Sequence, residues 1–408
     1  MTDLRITQLD SGLTVATEFV PSALSVATGV WVGVGSRDEP VELSGVSHFL
    51  EHLLFKGTPT RTSQEISRSV DRVGGDFNAF TAKEYTAYYI RLPARHVMFG
   101  VDLLSDVVIS PALRDADVDS ERLVILEELA MDDDSPDDVA HRTFTAQLFA
   151  DHPLGRETAG DRQTVQAITP GDVRSFFESN YHAGSTVISL AGPIDHDEAL
   201  QMISKAFAEL RPTGAVPVRT APDVIGGHQS IDDDTEQVHI VMGGRALPRG
   251  DDDREALDVV NHVFGGGLSS RLFEEIRERR GLAYSVYSGV STYADSGAFQ
   301  MYAGTQPDHS TEVIDLMRSE LDRLVTDGIS DDELDVAIGY LTGAFELGLE
   351  DTAARMARNG AQLITTGAVR PVDEQVARWA AVDHAAARRA IDRVLATQQI
   401  VVTVGPTS

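Results

Sequence analysis

The sequence contains no cysteine among its 408 residues, which excludes disulfides and any metal site built on thiolates. Lysine is almost missing as well. Lys56, Lys83 and Lys205 are the only three, so nearly every positive charge is an arginine. Basic residues number 34 against 64 acidic ones, a net charge of −30. So acidic a chain is repelled by phosphate backbones, which argues against nucleic acid as a partner. No apolar run reaches the ~20 residues that cross a bilayer; the best candidate, around 97–109, is interrupted by Asp102 and Asp106. The opening residues Met1-Thr2-Asp3-Leu4-Arg5 lack the basic-then-apolar layout of a secretion signal. The expectation is a cytoplasmic protein without membrane contact. The length allows two domains, each with its own core.

One stretch stands out against this background: Ser47-His48-Phe49-Leu50-Glu51-His52-Leu53-Leu54-Phe55-Lys56-Gly57. Ser44 or Ser47 can cap a helix start, and Gly57 followed by Pro59 gives a stop. His48 and His52 are four residues apart, so both imidazoles project from one face of one turn. Phe49, Leu50, Leu53 and Leu54 predict that the helix is largely buried. Buried histidines and a carboxylate need partners, because unpaired polar groups are costly inside. Zinc is such a partner: it takes imidazole nitrogens and, in catalytic sites, keeps one position for water. The spacing H-x-x-E-H, with Glu51 before the second histidine, is the inverted zinc-peptidase pattern. Two histidines sharing a helix with a surface glutamate is the plainer alternative.

A third ligand is expected from a neighbouring helix. Residues 117–131 read as that helix, and Glu121 and Glu128, two turns apart, share a face. Glu127 competes, about a quarter-turn away, and ordinary surface glutamates on a charged helix would give the same spacing.

Elsewhere, 13–19 and 25–34 read as strands and 63–73 as a helix ended by Gly74-Gly75. Residues 77–81 and 86–92 are consecutive strands, and 96–109 is an amphipathic helix stopped before Pro111. The stretch 132–138 reads as solvated helix-end or loop. Residues 211–228, with three prolines and Gly226-Gly227, read as a linker. Beyond it a similar order begins again, with strands at 238–243, 283–290 and 298–305 and helices at 254–264, 269–280, 309–326 and 331–349. Two related domains follow, 1–215 and 229–408. No H-x-x-E-H recurs in the second half, so one metal site per chain is expected. Gly265-Gly266-Gly267 lacks the lysine of a phosphate loop and reads as a flexible turn.

Taken together, Gly33–Glu39, His48–Gly57, Phe77–Thr81, Glu127–Met131 with Ser135–Asp138, His152–Arg156, Gly265–Phe273 and Arg277–Tyr284 resemble the M16 metallopeptidases. That is the pitrilysin and mitochondrial-processing-peptidase group, and the likeness to its short bacterial members spans nearly the whole chain. The resemblance implies an α+β fold of two homologous domains, each a mostly antiparallel sheet packed with helices. It implies one Zn2+ per chain on His48, His52 and Glu128, with Glu51 as general base and Glu121 as a carboxylate supporting the site. Arg277 and Tyr284 match a pair that holds substrate and stabilises the oxyanion. Asn78, Ala79, Phe80 and Thr81 match an edge strand that pairs with an extended substrate. The implied activity is endopeptidase cleavage of peptides or unfolded protein, in a homodimer. A structural, peptide-binding subunit without hydrolysis and a peptidase active only as a hetero-oligomer are the alternatives.

Overall fold

The computed structural model describes residues 3–223 and 225–406. The first half gives β1 (Asp3–Gln8), β2 (Thr14–Phe19), β3 (Ser25–Val32), α1 (Val46–Leu54), α2 (Ser63–Val73), β4 (Asp76–Thr81), β5 (Thr86–Pro93) and α3 (Val97–Ile109). It continues with α4 (Asp115–Asp133), α5 (Pro136–Phe149), α6 (Arg162–Ala167), α7 (Pro170–Asn180), β6 (Thr186–Gly192) and α8 (His196–Ala206). The second half gives β7 (Gln229–Asp232), β8 (Val238–Ala246), α9 (Arg254–Asn261), β9 (Ala283–Thr292), β10 (Gly297–Thr305) and α10 (Ser310–Asp327). After these come α11 (Asp331–Gly348), α12 (Thr352–Thr366), α13 (Val372–Ala380), α14 (His384–Ala390) and β11 (Ile400–Gly405). Among the described residues, no helix is long and apolar enough to cross a membrane.

The strands form two sheets, ordered β1-β2-β6-β3-β5-β4 and β7-β11-β8-β10-β9. With β1 set aside, the two orders correspond strand for strand. The correspondence includes the parallel pairs, β2 with β6 and β7 with β11, in otherwise antiparallel sheets. The repeated element order in the sequence therefore has a topological counterpart, and the fold is α+β.

The compact units do not follow the chain. One comprises the residues up to Leu129, Arg156–Arg219 and Leu347–Val369; the other comprises Ala130–Gly155, Thr220–Glu346 and the chain from Arg370 onward. The contiguous division 1–215 and 229–408 is amended in two places, because each half contributes a helical segment to the other unit.

The reason lies in strand alternation. In β3, Val26, Val30 and Val32 enter the main core of the first unit, while Ala27 and Trp31 face the opposite way. That second face is covered by α12, through Met356 and Leu363. Glu18 pairs with Arg355 and accepts from Asn359 Nδ2 at 2.8 Å, fixing the helix on the sheet. Gly360 allows the close approach: a Cβ there would lie 2.3 Å from the Trp31 ring. In the second unit, Ile240 and Met242 of β8 enter one core and Val241 the other, where α5 lies with Phe144 and Leu148. Each such side chain taken from water contributes about 1.5–3 kcal/mol. A sheet with two apolar faces needs a cover on both.

Candidate metal centre

The helix α1 starts in an unusual way. Its cap residue is Gly45, at φ 96°, with no side-chain cap. The serine cap expected at Ser44 or Ser47 is absent; the carboxylate of Glu39 takes its place. Glu39 Oε2 accepts from Gly45 N–H and Oε1 from Ser47 N–H, both at 2.7 Å. Exposed N–H groups at a helix start favour a negative charge there. Burial pushes the Glu39 carboxyl up to about 7, against the opposing pull of those two N–H donors and of Arg156.

Phe49, Leu50, Leu53 and Leu54 are buried in the core of the first unit, leaving His48, Glu51 and His52 half-buried on the other side of α1. On α4, Val118, Glu121, Ile125 and Leu129 are buried. Glu127 is exposed, and Glu128 is the carboxylate that joins the histidines. His48 Nε2 and His52 Nε2 are 3.3 Å apart, and Glu128 Oε2 lies 3.8 and 3.6 Å from them. Donors bound tetrahedrally to one zinc at about 2.0–2.1 Å sit roughly 3.3–3.4 Å from each other. The three donors are therefore nearly at coordination spacing, and two nitrogens with one carboxylate is a zinc set with a position left for water.

Burial, reinforced by His52, lowers the His48 imidazole to about 4, so it is neutral at physiological pH, the form that binds metal. Its Nδ1 is buried without a hydrogen-bond partner, while Nε2 faces the other donors. His52 Nδ1 is 3.2 Å from Glu121 Oε2, and Glu121 also pairs with Lys56. The residues present fit the metal.

Glu51 stands beside these donors, and Thr81 Oγ1 donates to its Oε2 at 2.5 Å. Burial raises the Glu51 carboxyl above its ordinary range, opposed by the Thr81 hydroxyl and His52. Thr81 is the last residue of β4, the strand at the open end of its sheet. Asn78, Ala79 and Phe80 lie along that same strand.

Arg277 and Tyr284 belong to the second unit. The Arg277 guanidinium lies 4.8 Å over the Tyr284 ring, and Nη1 donates to the Tyr284 carbonyl at 2.9 Å. Tyr284 is 79% exposed. Sequence reasoning missed Glu39 and Lys56. The latter carried a signal, since it follows His52 by four residues in a chain with three lysines.

Residues 14–162 match the family described as insulinase (peptidase family M16), and 167–341 match the peptidase M16 inactive domain. A protein of Streptomyces coelicolor is 41% identical over 99% of this chain and 90% of its own length. One of Mycobacterium tuberculosis is 43% identical over 90% of this chain and 85% of its own length, and one of Bacillus subtilis 36% over 89% of each. All three are named only as uncharacterized zinc proteases. Among solved structures, a peptidase M16 inactive domain from Pseudomonas fluorescens superposes with a TM-score of 0.94 at 21% identity, covering 100% of this chain and 98% of its own. A protease from Helicobacter pylori gives 0.92 at 22% identity, with both chains fully covered.

Proposed function

The chain belongs to peptidase family M16, and we propose that it is a zinc-dependent endopeptidase acting on peptides or unfolded segments. The observation that carries this reading is the convergence of His48, His52 and Glu128, with Glu51 held beside them by Thr81. Zinc on those three residues supplies Lewis acidity, which polarises a carbonyl and acidifies water.

Glu51 acts as general base. Thr81 holds the carboxylate in place through Oε2, and Glu51 accepts the proton of the attacking water as its oxygen adds to the peptide carbonyl. Glu51 then gives that proton to the leaving nitrogen as the C–N bond breaks. Its raised carboxyl moves toward the neutral range in which a general base works best.

Substrate adds to the free edge of β4 along Asn78, Ala79 and Phe80, as a further strand. Thr81 ends that edge beside Glu51, so an extended chain is led to the base. Folded proteins cannot extend in this way, which supports peptides and unfolded segments as substrates. In this reading the chain is a homodimer, and the Arg277/Tyr284 pair of each copy stabilises the oxyanion in the other. The preassembled pair with its exposed phenol supports that role.

The test is Glu51→Gln. The variant is expected to keep zinc and lose cleavage of a random peptide mixture; unchanged turnover would remove Glu51 from the base role.

A further inference from the structure

We propose that Lys56 is a positioning residue for the metal centre, acting through Glu121 on His52. The inference rests on the zinc reading given above. His48, His52 and Lys56 recur at intervals of four. The helix α1 ends at Leu54, but Phe55 keeps helical torsions and Lys56 N–H still bonds the Leu53 carbonyl at 3.1 Å. Lys56 is thus carried on the same side as the histidines.

Its ammonium pairs with Glu121 Oε1, and the other oxygen, Oε2, sits 3.2 Å from His52 Nδ1. Each Glu121 oxygen therefore has one task. A carboxylate so deeply buried, only 4% exposed as a residue, is costly to keep without a charge partner. Lys56 offsets that cost and occupies Oε1, leaving Oε2 to receive the Nδ1 proton of His52. The ring then presents bare Nε2 to the metal, facing His48 Nε2 at 3.3 Å. Outer partners of this kind set both the tautomer and the orientation of a ligating histidine.

The choice of lysine matters in a chain whose other basic residues, Lys83 and Lys205 apart, are arginines. A guanidinium favours a fork on both oxygens of one carboxylate, whereas an ammonium is a point charge that one oxygen satisfies. Lysine alone leaves Oε2 free for the histidine.

The experiment is a competition titration of the metal-free 408-residue chain with zinc and a chromophoric chelator. It compares wild type, Lys56→Met, Glu121→Gln and the double variant. Each single variant is expected to weaken zinc about 10–100-fold, and the double variant to be no weaker than Glu121→Gln alone. Nitrogen-15 shifts of the metal-free protein are expected to show the Nδ1–H tautomer at His52 in wild type and to lose it in Lys56→Met. Lys56→Arg is expected to bind zinc more weakly than wild type although it keeps the charge. Wild-type affinity in Lys56→Met, additive losses in the double variant, or an unchanged His52 tautomer would overturn the inference and leave the zinc site standing. Wild-type protein that takes up no zinc would overturn both.

Discussion

The carboxylate of Glu39 accepts the Ser47 N–H at 2.7 Å, one residue ahead of His48. The start of α1, which carries His48 and His52, is thus held by an acid whose carboxyl burial pushes up to about 7, from an ordinary 4.5. A raised acid binds its proton more tightly folded than unfolded, so its contribution to stability is present below pH 4.5 and is lost as pH rises through 7. The full shift corresponds to roughly 3 kcal/mol. Glu39→Gln is expected to flatten the fall in unfolding free energy between pH 4.5 and 7, measured by urea titration at a series of pH values. An unchanged slope would mean that Glu39 is not the group that titrates there.

Thr81→Val removes the hydroxyl on Glu51 Oε2 while keeping the shape of the side chain. A hydrogen bond to a charged group contributes about 1.5–3 kcal/mol. We expect kcat on an extended peptide to fall roughly 10–100-fold, with zinc content unchanged. Steady-state kinetics with metal analysis checks this, and loss of zinc would assign Thr81 a different role.

Gly360→Ala places a methyl 2.3 Å from the Trp31 ring, and Trp31, 1% exposed, has no space to yield. Overpacking of this kind costs about 1–3 kcal/mol. The urea midpoint is expected to drop while zinc affinity holds, because Gly360 and Trp31 line the face of the sheet opposite the core that contains α1.

Tyr284→Phe is expected to lower kcat by about 10²–10³-fold, as loss of one oxyanion donor does. If sites are shared in a homodimer, mixing equal amounts of Glu51→Gln and Tyr284→Phe chains regenerates about a quarter of the wild-type sites. No recovery after subunit exchange would place both sets within one chain.

The legible parts of this molecule were those fixed by local spacing. His48 and His52 share a face because four residues make about one helical turn, and α2 begins with a Thr62 capping box and ends at left-handed Gly74, as its residues indicate. Glu121 and Glu128 both reach the histidines of α1, because two turns return a side chain to the same face. The cap of α1 could not be read locally, since Glu39 arrives from the preceding loop through tertiary structure. The helices α5 and α12 were missed because each covers a sheet formed largely by the other half of the chain. Ser135-Pro136-Asp137-Asp138 was nonetheless a helix start, with Pro136 in the first turn. Lys56 was visible as a residue, but its partner Glu121 lies sixty-five positions away in sequence.

Zinc content per chain tests the central claim most directly, measured by metal analysis after exhaustive dialysis of wild type, His48→Ala, His52→Ala and Glu128→Ala. About one ion is expected on the wild-type chain, with none retained by either histidine variant and weakened retention in Glu128→Ala. Equal zinc on all four proteins would contradict the site.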